Sequence, residues 1–193
     1  LKRKKTNITS SEVKSKRKKL QEREHKIQLD TPNVCNKVEI YHTKGVCTNV
    51  ELVKYTSTVF TLNRGNLLLM KGIIRFKSYN NHEIGALFLV GYGSKNSNLG
   101  KYIGEKFTSL KNIEDNKHPY TYYDGRSYYC AYDTDTYPLG LLNTNKHNSG
   151  GDTCSLHRAT RMIKLKQHCR GSVTRPILLT CNFNLETKDF YPI

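Results

Sequence analysis

The stretch PYTYYDGRSYYCAY, residues 119–132, predicts how this chain folds. Asp124-Gly125 lies between two aromatic runs, and an Asp-Gly pair supplies the positive φ angles that a tight type I′ turn requires. Aromatic side chains favour strands because they pack well on a pleated, half-buried surface. We therefore predict a β-hairpin whose tip is Asp124-Gly125.

Runs with strand character continue on both sides of this hairpin. IGALFLVGY (84–92) is apolar almost throughout, which is typical of a strand covered on both faces. In RPILLTCNFNL (175–185), alternate residues form an apolar row of Ile177, Leu179, Cys181, Phe183 and Leu185. Similar patterns occur in NKVEIYHTK (36–44), VELVKYTSTVFTL (50–62), NLLLMKGIIRFKSY (66–79) and ATRMIKLKQHC (159–169).

These runs are separated by turn signals, and no long amphipathic helix interrupts them. Short strands at such intervals are typical of a sandwich or barrel. The sequence thus predicts an all-β fold, an antiparallel jelly-roll sandwich of about eight strands. We expect two parts, a basic N-terminal arm over residues 1–28 and a jelly-roll shell domain over residues 29–193.

The charge of the chain is concentrated in the arm. Of a net +16, residues 1–27 carry +8, from 11 lysines and arginines against three glutamates. Block charges of this kind are solvated and self-repelling, and they favour a polyanionic partner, nucleic acid first. The arm contains two basic clusters separated by ten residues, Lys4-Lys5 and Lys16-Arg17-Lys18-Lys19. This bipartite pattern resembles a nuclear import signal.

Basic residues also alternate along two strands of the body. Arg75 and Lys77 share one face, and Lys164, Lys166 and His168 share another, so both are candidate phosphate-contacting surfaces. The candidate nucleic-acid contacts are Lys2, Arg3, Lys4, Lys5, Lys14, Lys16, Arg17, Lys18, Lys19, Arg23, Arg75, Lys77, Lys164 and Lys166.

Motifs of catalysis and of membrane insertion do not appear in the sequence. The spacing in GYGSKNSNLGKY (91–102) is wrong for a phosphate-binding loop. No apolar run reaches the 18 residues that a membrane-spanning helix needs. Zinc binds cysteine and histidine, and four such residues occur as Cys154, His157, His168 and Cys169. His168 and Cys169 are neighbours, however, and neighbouring residues of a strand point to opposite faces. We expect no metal there, and we expect the six cysteines to be reduced and buried.

A basic arm in front of an all-β body without a catalytic motif resembles the coat proteins of small icosahedral viruses. Within that class, the bipartite arm and TLNRGNLLLMKGIIRFKSYNNHEIGALFLV (61–90) are similar to capsid proteins of small circular single-stranded DNA viruses, including geminivirus-like ones. In those proteins a Gly-Lys-rich strand start, a basic strand, an Asn-containing turn and an apolar strand ending in Leu-Val follow in this order.

The resemblance implies a capsid protein that is not an enzyme and needs no cofactor. It implies assembly of about 60 copies into an icosahedral shell. The packaged partner would be single-stranded nucleic acid, DNA rather than RNA, held by the arm. The implied locations are the virion and the host nucleus, which the protein would enter with a nuclear import carrier.

Two other classes share these sequence features. A secreted, basic growth factor or cytokine would also be rich in β-structure, and its cysteines would form disulfides. A cellular nuclear DNA-binding β-domain would share the arm but remain a monomer or dimer.

Overall fold

The computed structural model describes residues 38–42, 45–62, 67–77, 81–143 and 152–183. The basic arm, Cys35 and Leu185 lie outside these ranges, so the predictions made for them stay predictions. Within the ranges the protein is predominantly β, which confirms the predicted class.

Fourteen strands and three short 3-10 helices occur in this part of the chain. The strands are β1 Tyr41–His42, β2 Gly45–Val46, β3 Val50–Tyr55, β4 Leu69–Phe76, β5 Glu83–Leu89, β6 Tyr92–Gly93, β7 Asn98–Lys101, β8 Glu105–Phe107, β9 Thr121–Tyr123, β10 Tyr128–Cys130, β11 Cys154–His157, β12 Met162–Leu165, β13 Cys169–Arg170 and β14 Ile177–Leu178. The helices are Leu110–Asn112, Asp115–Tyr120 and Pro138–Leu141.

The strands form four sheets. A six-stranded sheet has the order β2-β1-β14-β5-β4-β3, and three smaller sheets have the orders β8-β10-β9, β11-β12-β7 and β13-β6. The longest pairing joins β4 to β5 over seven residue pairs, from Leu69 opposite Leu89 to Arg75 opposite Glu83.

Two details of the predicted sandwich need correction. Where about eight strands were predicted, the described ranges contain fourteen, because turns and bends divide several runs. The run 50–62, for example, is interrupted after Tyr55 and pairs with the same sheet again at Phe60, opposite Leu69 of β4. The sheet is also not antiparallel throughout, since β1 pairs with β14 in parallel, Tyr41 opposite Ile177. These two strands are far apart in sequence, so no tight turn imposes an antiparallel arrangement on them.

Both faces of the six-stranded sheet are buried. Leu87 and Leu89 of β5 belong to a large apolar cluster that also contains Ile163 of β12 and Tyr122 of β9. Phe88, between the two leucines, belongs to a second cluster on the opposite face. The prediction that residues 84–92 form a strand covered on both faces is therefore confirmed for β5.

The segment 177–181, which begins with β14, is also buried on both faces. The described members of its predicted row, Ile177, Leu179, Cys181 and Phe183, pack in the large cluster, while Leu178 packs in the second one. The alternation thus assigns residues to one core or the other rather than to core or solvent.

The predicted hairpin is present, with a different turn. β9 and β10 pair antiparallel, Tyr123 opposite Tyr128, and Asp124 donates its backbone N–H to the carbonyl of Ser127 at 3.1 Å. The two central residues are therefore Gly125 and Arg126, not Asp124 and Gly125. Gly125 has φ +102° and the φ of Arg126 is not positive, a combination that fits type II′ rather than type I′.

Asp124 stabilises this turn from its first position. Its Oδ1 atom accepts the backbone N–H groups of Arg126 and Ser127, both at 2.9 Å. An aspartate side chain commonly satisfies backbone donors two and three residues ahead in this way.

Candidate nucleic-acid interface

The candidate contacts of the body lie on two different sheets. Arg75 is near the end of β4 in the six-stranded sheet, and Lys77 follows this strand in the adjoining turn. Lys164 is on β12 in a three-stranded sheet, and Lys166 follows β12 directly. The structure therefore groups the four residues into two pairs.

Arg75 is neutralised by two carboxylates. It lies opposite both Glu51 of β3 and Glu83 of β5. Its Nη1 is 2.8 Å from Glu51 Oε1 and its Nη2 is 2.6 Å from Glu83 Oε1. Hydrogen bonds to Glu83 and Glu51 raise the pKa of the Arg75 guanidinium. A phosphate would have to compete with both glutamates, so Arg75 is a poor candidate contact.

Lys164 and Lys166 have the exposure that their alternation predicts. Both are exposed, while Ile163 and Leu165 on the other face are fully buried. Within the described ranges neither lysine has a carboxylate within 4.0 Å in an ion pair. Two lysines on one exposed face, without an ion-paired carboxylate among the described residues, suit contact with phosphates.

The same alternation continues for four more residues. His168 and Arg170 are exposed, and Cys169 between them is buried. We call Lys164, Lys166, His168 and Arg170 the cationic row. Arg170 was not among the predicted contacts, although the period of two extends to it.

Tyr92 adds an aromatic ring beside this row. Arg170 lies opposite Tyr92 in the β13–β6 pair, and Tyr92 is 60 % exposed. Its ring stacks with that of His168 at a centroid distance of 6.4 Å, and its hydroxyl is 3.1 Å from His168 Nδ1. No local pattern marked Tyr92, because only the pairing of two distant segments places it there.

The four residues considered for zinc are not brought together as a group of ligands. His157 Nδ1 lies 2.9 Å from Thr160 Oγ1, and His168 contacts Tyr92. Cys154 is buried in the core, and Cys169 is buried on the face opposite His168, as the strand geometry predicted. Across the described ranges no three His, Cys, Asp or Glu residues are grouped as metal ligands.

The described cysteines are free thiols. All five are buried and unbridged, namely Cys47, Cys130, Cys154, Cys169 and Cys181, so their predicted burial is confirmed and their reduced state stays a prediction. Burial raises the pKa of Cys47 and of Cys181 to about 12. Such thiols remain protonated at neutral pH and pack as small apolar groups.

The described part of the chain is thus an all-β protein with an exposed cationic row. Its described ranges contain no helix that is long and apolar enough to cross a membrane. No protein-family model matches the chain, and no curated protein matches it in sequence.

Proposed function

We propose that this protein is a viral capsid protein that assembles into a small icosahedral shell and binds its packaged genome through the basic arm. The observation that carries the proposal is that half of the net charge of +16 lies in residues 1–27, ahead of an all-β body. The body would be a jelly roll in which the six-stranded sheet and the smaller sheets form the two layers. Its large apolar cluster, which joins β5 to β12 and β9, is consistent with such layers.

The genome would be single-stranded DNA, bound without regard to its sequence. Lysines and arginines of the arm attract phosphates and release condensed counterions, a mechanism that positions a strand but does not read bases. The cationic row would give the same strand a second contact on the body. Before assembly, the bipartite pattern of the arm would direct the subunit to the nucleus.

The two alternative classes make different predictions. A secreted factor requires disulfides, so its mass after alkylation in denaturant would depend on prior reduction, whereas that of a capsid or nuclear protein with free thiols would not. A nuclear DNA-binding domain would share the arm, but it would bind one site far more tightly than others.

A salt titration of single-stranded DNA binding tests the role of the arm. Logarithms of affinity and salt concentration should be linearly related, with a slope near −0.7 per neutralised phosphate. Replacing Lys16, Arg17, Lys18 and Lys19 by alanine should make that slope shallower by up to about 3 units. A control with the exposed Lys106 and Lys111 of the body replaced by alanine gives the change in slope per charge removed outside the arm, for comparison with the change per charge in the arm variant.

Deletion of residues 1–27 is the stronger form of the same test. Affinity should fall greatly, and changes in base composition should have little effect on what remains. If the deleted protein keeps both its affinity and its salt slope, the arm is not the nucleic-acid contact.

A further inference from the structure

A pocket of about 350 Å³ opens where the first and last described strands meet. It lies at one end of the cationic row, because Arg170, the last residue of the row, also lines the pocket. The pocket is lined by Tyr41, Arg170, Gly171, Ser172, Arg175 and Ile177.

Arg175 is held in place at this pocket by Tyr41. Its Nε donates to the Tyr41 hydroxyl at 3.2 Å, and its Nη2 donates to the same oxygen. The guanidinium also lies 4.7 Å from the centroid of the Tyr41 ring, a cation–π contact. Nη1 makes no hydrogen bond to the described residues, so this nitrogen can donate to a ligand.

The turn that carries Arg175 also presents hydroxyl groups. The backbone N–H of Arg175 donates to Ser172 Oγ at 3.0 Å, and Ser172 Oγ lies 3.2 Å from Thr174 Oγ1. Ser172 itself lines the pocket. A fixed guanidinium beside a hydroxyl is a suitable donor set for a phosphate oxygen.

Arg170 supplies a second guanidinium. It is exposed, and among the described residues it has neither a hydrogen bond nor an ion pair that would compete with a ligand. The planar guanidinium group is well suited to phosphate recognition, because its N–H donors match two oxygens at once. A carboxylate lies nearby, since Glu39 accepts a hydrogen bond from the Tyr41 hydroxyl at 2.9 Å.

The pocket lies beside the first described range of the chain, residues 38–42. Glu39 donates its backbone N–H to Thr174 at 3.4 Å, and Tyr41 donates its own to Pro176 at 2.9 Å. These are among the first described residues after the arm, and they pair with the turn that carries Arg175. In sequence, this pocket is therefore built partly from the described residues nearest to the arm.

We propose that this pocket binds a backbone phosphate of single-stranded nucleic acid, with Arg170 and Arg175 as donors and Tyr92 stacking on a base of the same strand. The proposal rests on the proposed function and adds a fixed site to it. Phosphates on either side of the bound one would meet the arm at one end and the cationic row at the other. Since Tyr92 lies opposite Arg170, a base attached to the bound phosphate can reach its exposed ring.

Binding of a ten-residue oligothymidylate to the full chain, followed by fluorescence anisotropy, tests this site. Replacing Arg170 and Arg175 by glutamine should weaken binding about tenfold or more and make the salt slope shallower by about 1.4. Tyr92→Ala should weaken binding at least fivefold with little change in slope, because stacking releases no counterions. The control is the double replacement of Lys106 and Lys111 by glutamine, which removes the same charge elsewhere.

A competition experiment with inorganic phosphate shows whether the pocket binds a nucleic-acid backbone or a small phosphate compound. Competition by phosphate should be weak in the parent and lost in the arginine variant. If phosphate binds as tightly as the oligonucleotide and Tyr92→Ala has no effect, the site serves a small phosphate compound and the strand assignment is overturned.

Two further variants keep the test independent of folding. Arg175→Lys retains the charge but loses the forked donors, so the thermal midpoint should stay near that of the parent while affinity falls. Glu39→Gln removes the nearby carboxylate and should raise affinity. The proposal that the pocket binds phosphate would be overturned if Arg175→Lys and Glu39→Gln both left affinity unchanged. It would also be overturned if the arginine variants bound no worse than the control.

The outcome separates this proposal from that for the arm. If the arginine variants bind like the control while the four-alanine arm variant loses affinity, the proposal for the pocket is wrong and the proposal for the arm is supported. If the arginine variants lose affinity while the arm variant does not, the proposal for the pocket is supported and the proposal for the arm is wrong.

Discussion

Gly125 occupies a backbone conformation that other residues adopt only at a cost. Its φ is +102°, and a Cβ atom there would meet nothing closer than Arg158 Nη2 at 3.6 Å. There is room for a methyl group, so the cost of a substitution comes from the backbone.

We predict that Gly125→Ala lowers the free energy of unfolding by about 1–2 kcal/mol. Arg126→Ala is the matched control, because it changes the other central residue, whose φ is not positive, and should have little effect. Denaturant unfolding of both variants measures the difference. Equal stability of the two would mean that the turn is not formed as described.

Cys181 is fully buried, and its pKa is raised from 9.0 to about 12 by burial. In the unfolded chain the thiol loses its proton at lower pH, so deprotonation favours unfolding. The contribution of the protonated thiol is complete below pH 9 and is lost as pH rises toward 12.

We therefore predict that the free energy of unfolding falls between pH 9 and pH 11 and that Cys181→Ala reduces this fall. The cavity left by alanine lowers stability at every pH, so the slope against pH is the measurement that isolates the thiol. Identical slopes in the parent and the variant would show that Cys181 titrates normally.

The strands differ in how well sequence predicts them. β4 and β5 are predictable because long apolar or alternating runs encode them locally. β6 and β7 lie in a segment rich in Gly, Ser and Asn that has no such alternation. Their position depends on packing: a Cβ on Gly93 would lie 2.3 Å from Leu165 Cδ1, a contact between distant segments that no local pattern reveals.

The candidate contacts show the same limit. Exposure of Lys164 and Lys166 follows from alternation, and it was predicted. The ion pairs of Arg75 form only when three strands align in register, so the same alternation gave no sign that its charge is compensated.

This difference predicts unequal effects on nucleic-acid binding. Lys164→Ala with Lys166→Ala should make the salt slope for single-stranded DNA shallower by up to about 1.4. Arg75→Ala should change it little, because two glutamates already neutralise that charge. Titrations of the three proteins in parallel give the comparison, and a larger effect from Arg75 would make its sheet the interface instead.

At the scale of the whole molecule, the account depends on the combination of an all-β body and a concentrated basic arm. The fold class was predictable because strand periodicity is a local property. The way in which copies of the chain would contact one another was not, because an interface depends on the shape of the assembled surface rather than on periodicity.

The mass of the purified 193-residue chain in solution tests the capsid proposal most directly. It is measured by size exclusion with light scattering in the presence of single-stranded DNA. The chain has a mass of 22.2 kDa, so a shell of about sixty copies would contain about 1.3 MDa of protein. We predict a uniform species of about that protein mass or larger. A monomer or dimer that binds DNA without assembling, over a range of salt concentrations and pH, would contradict the proposal.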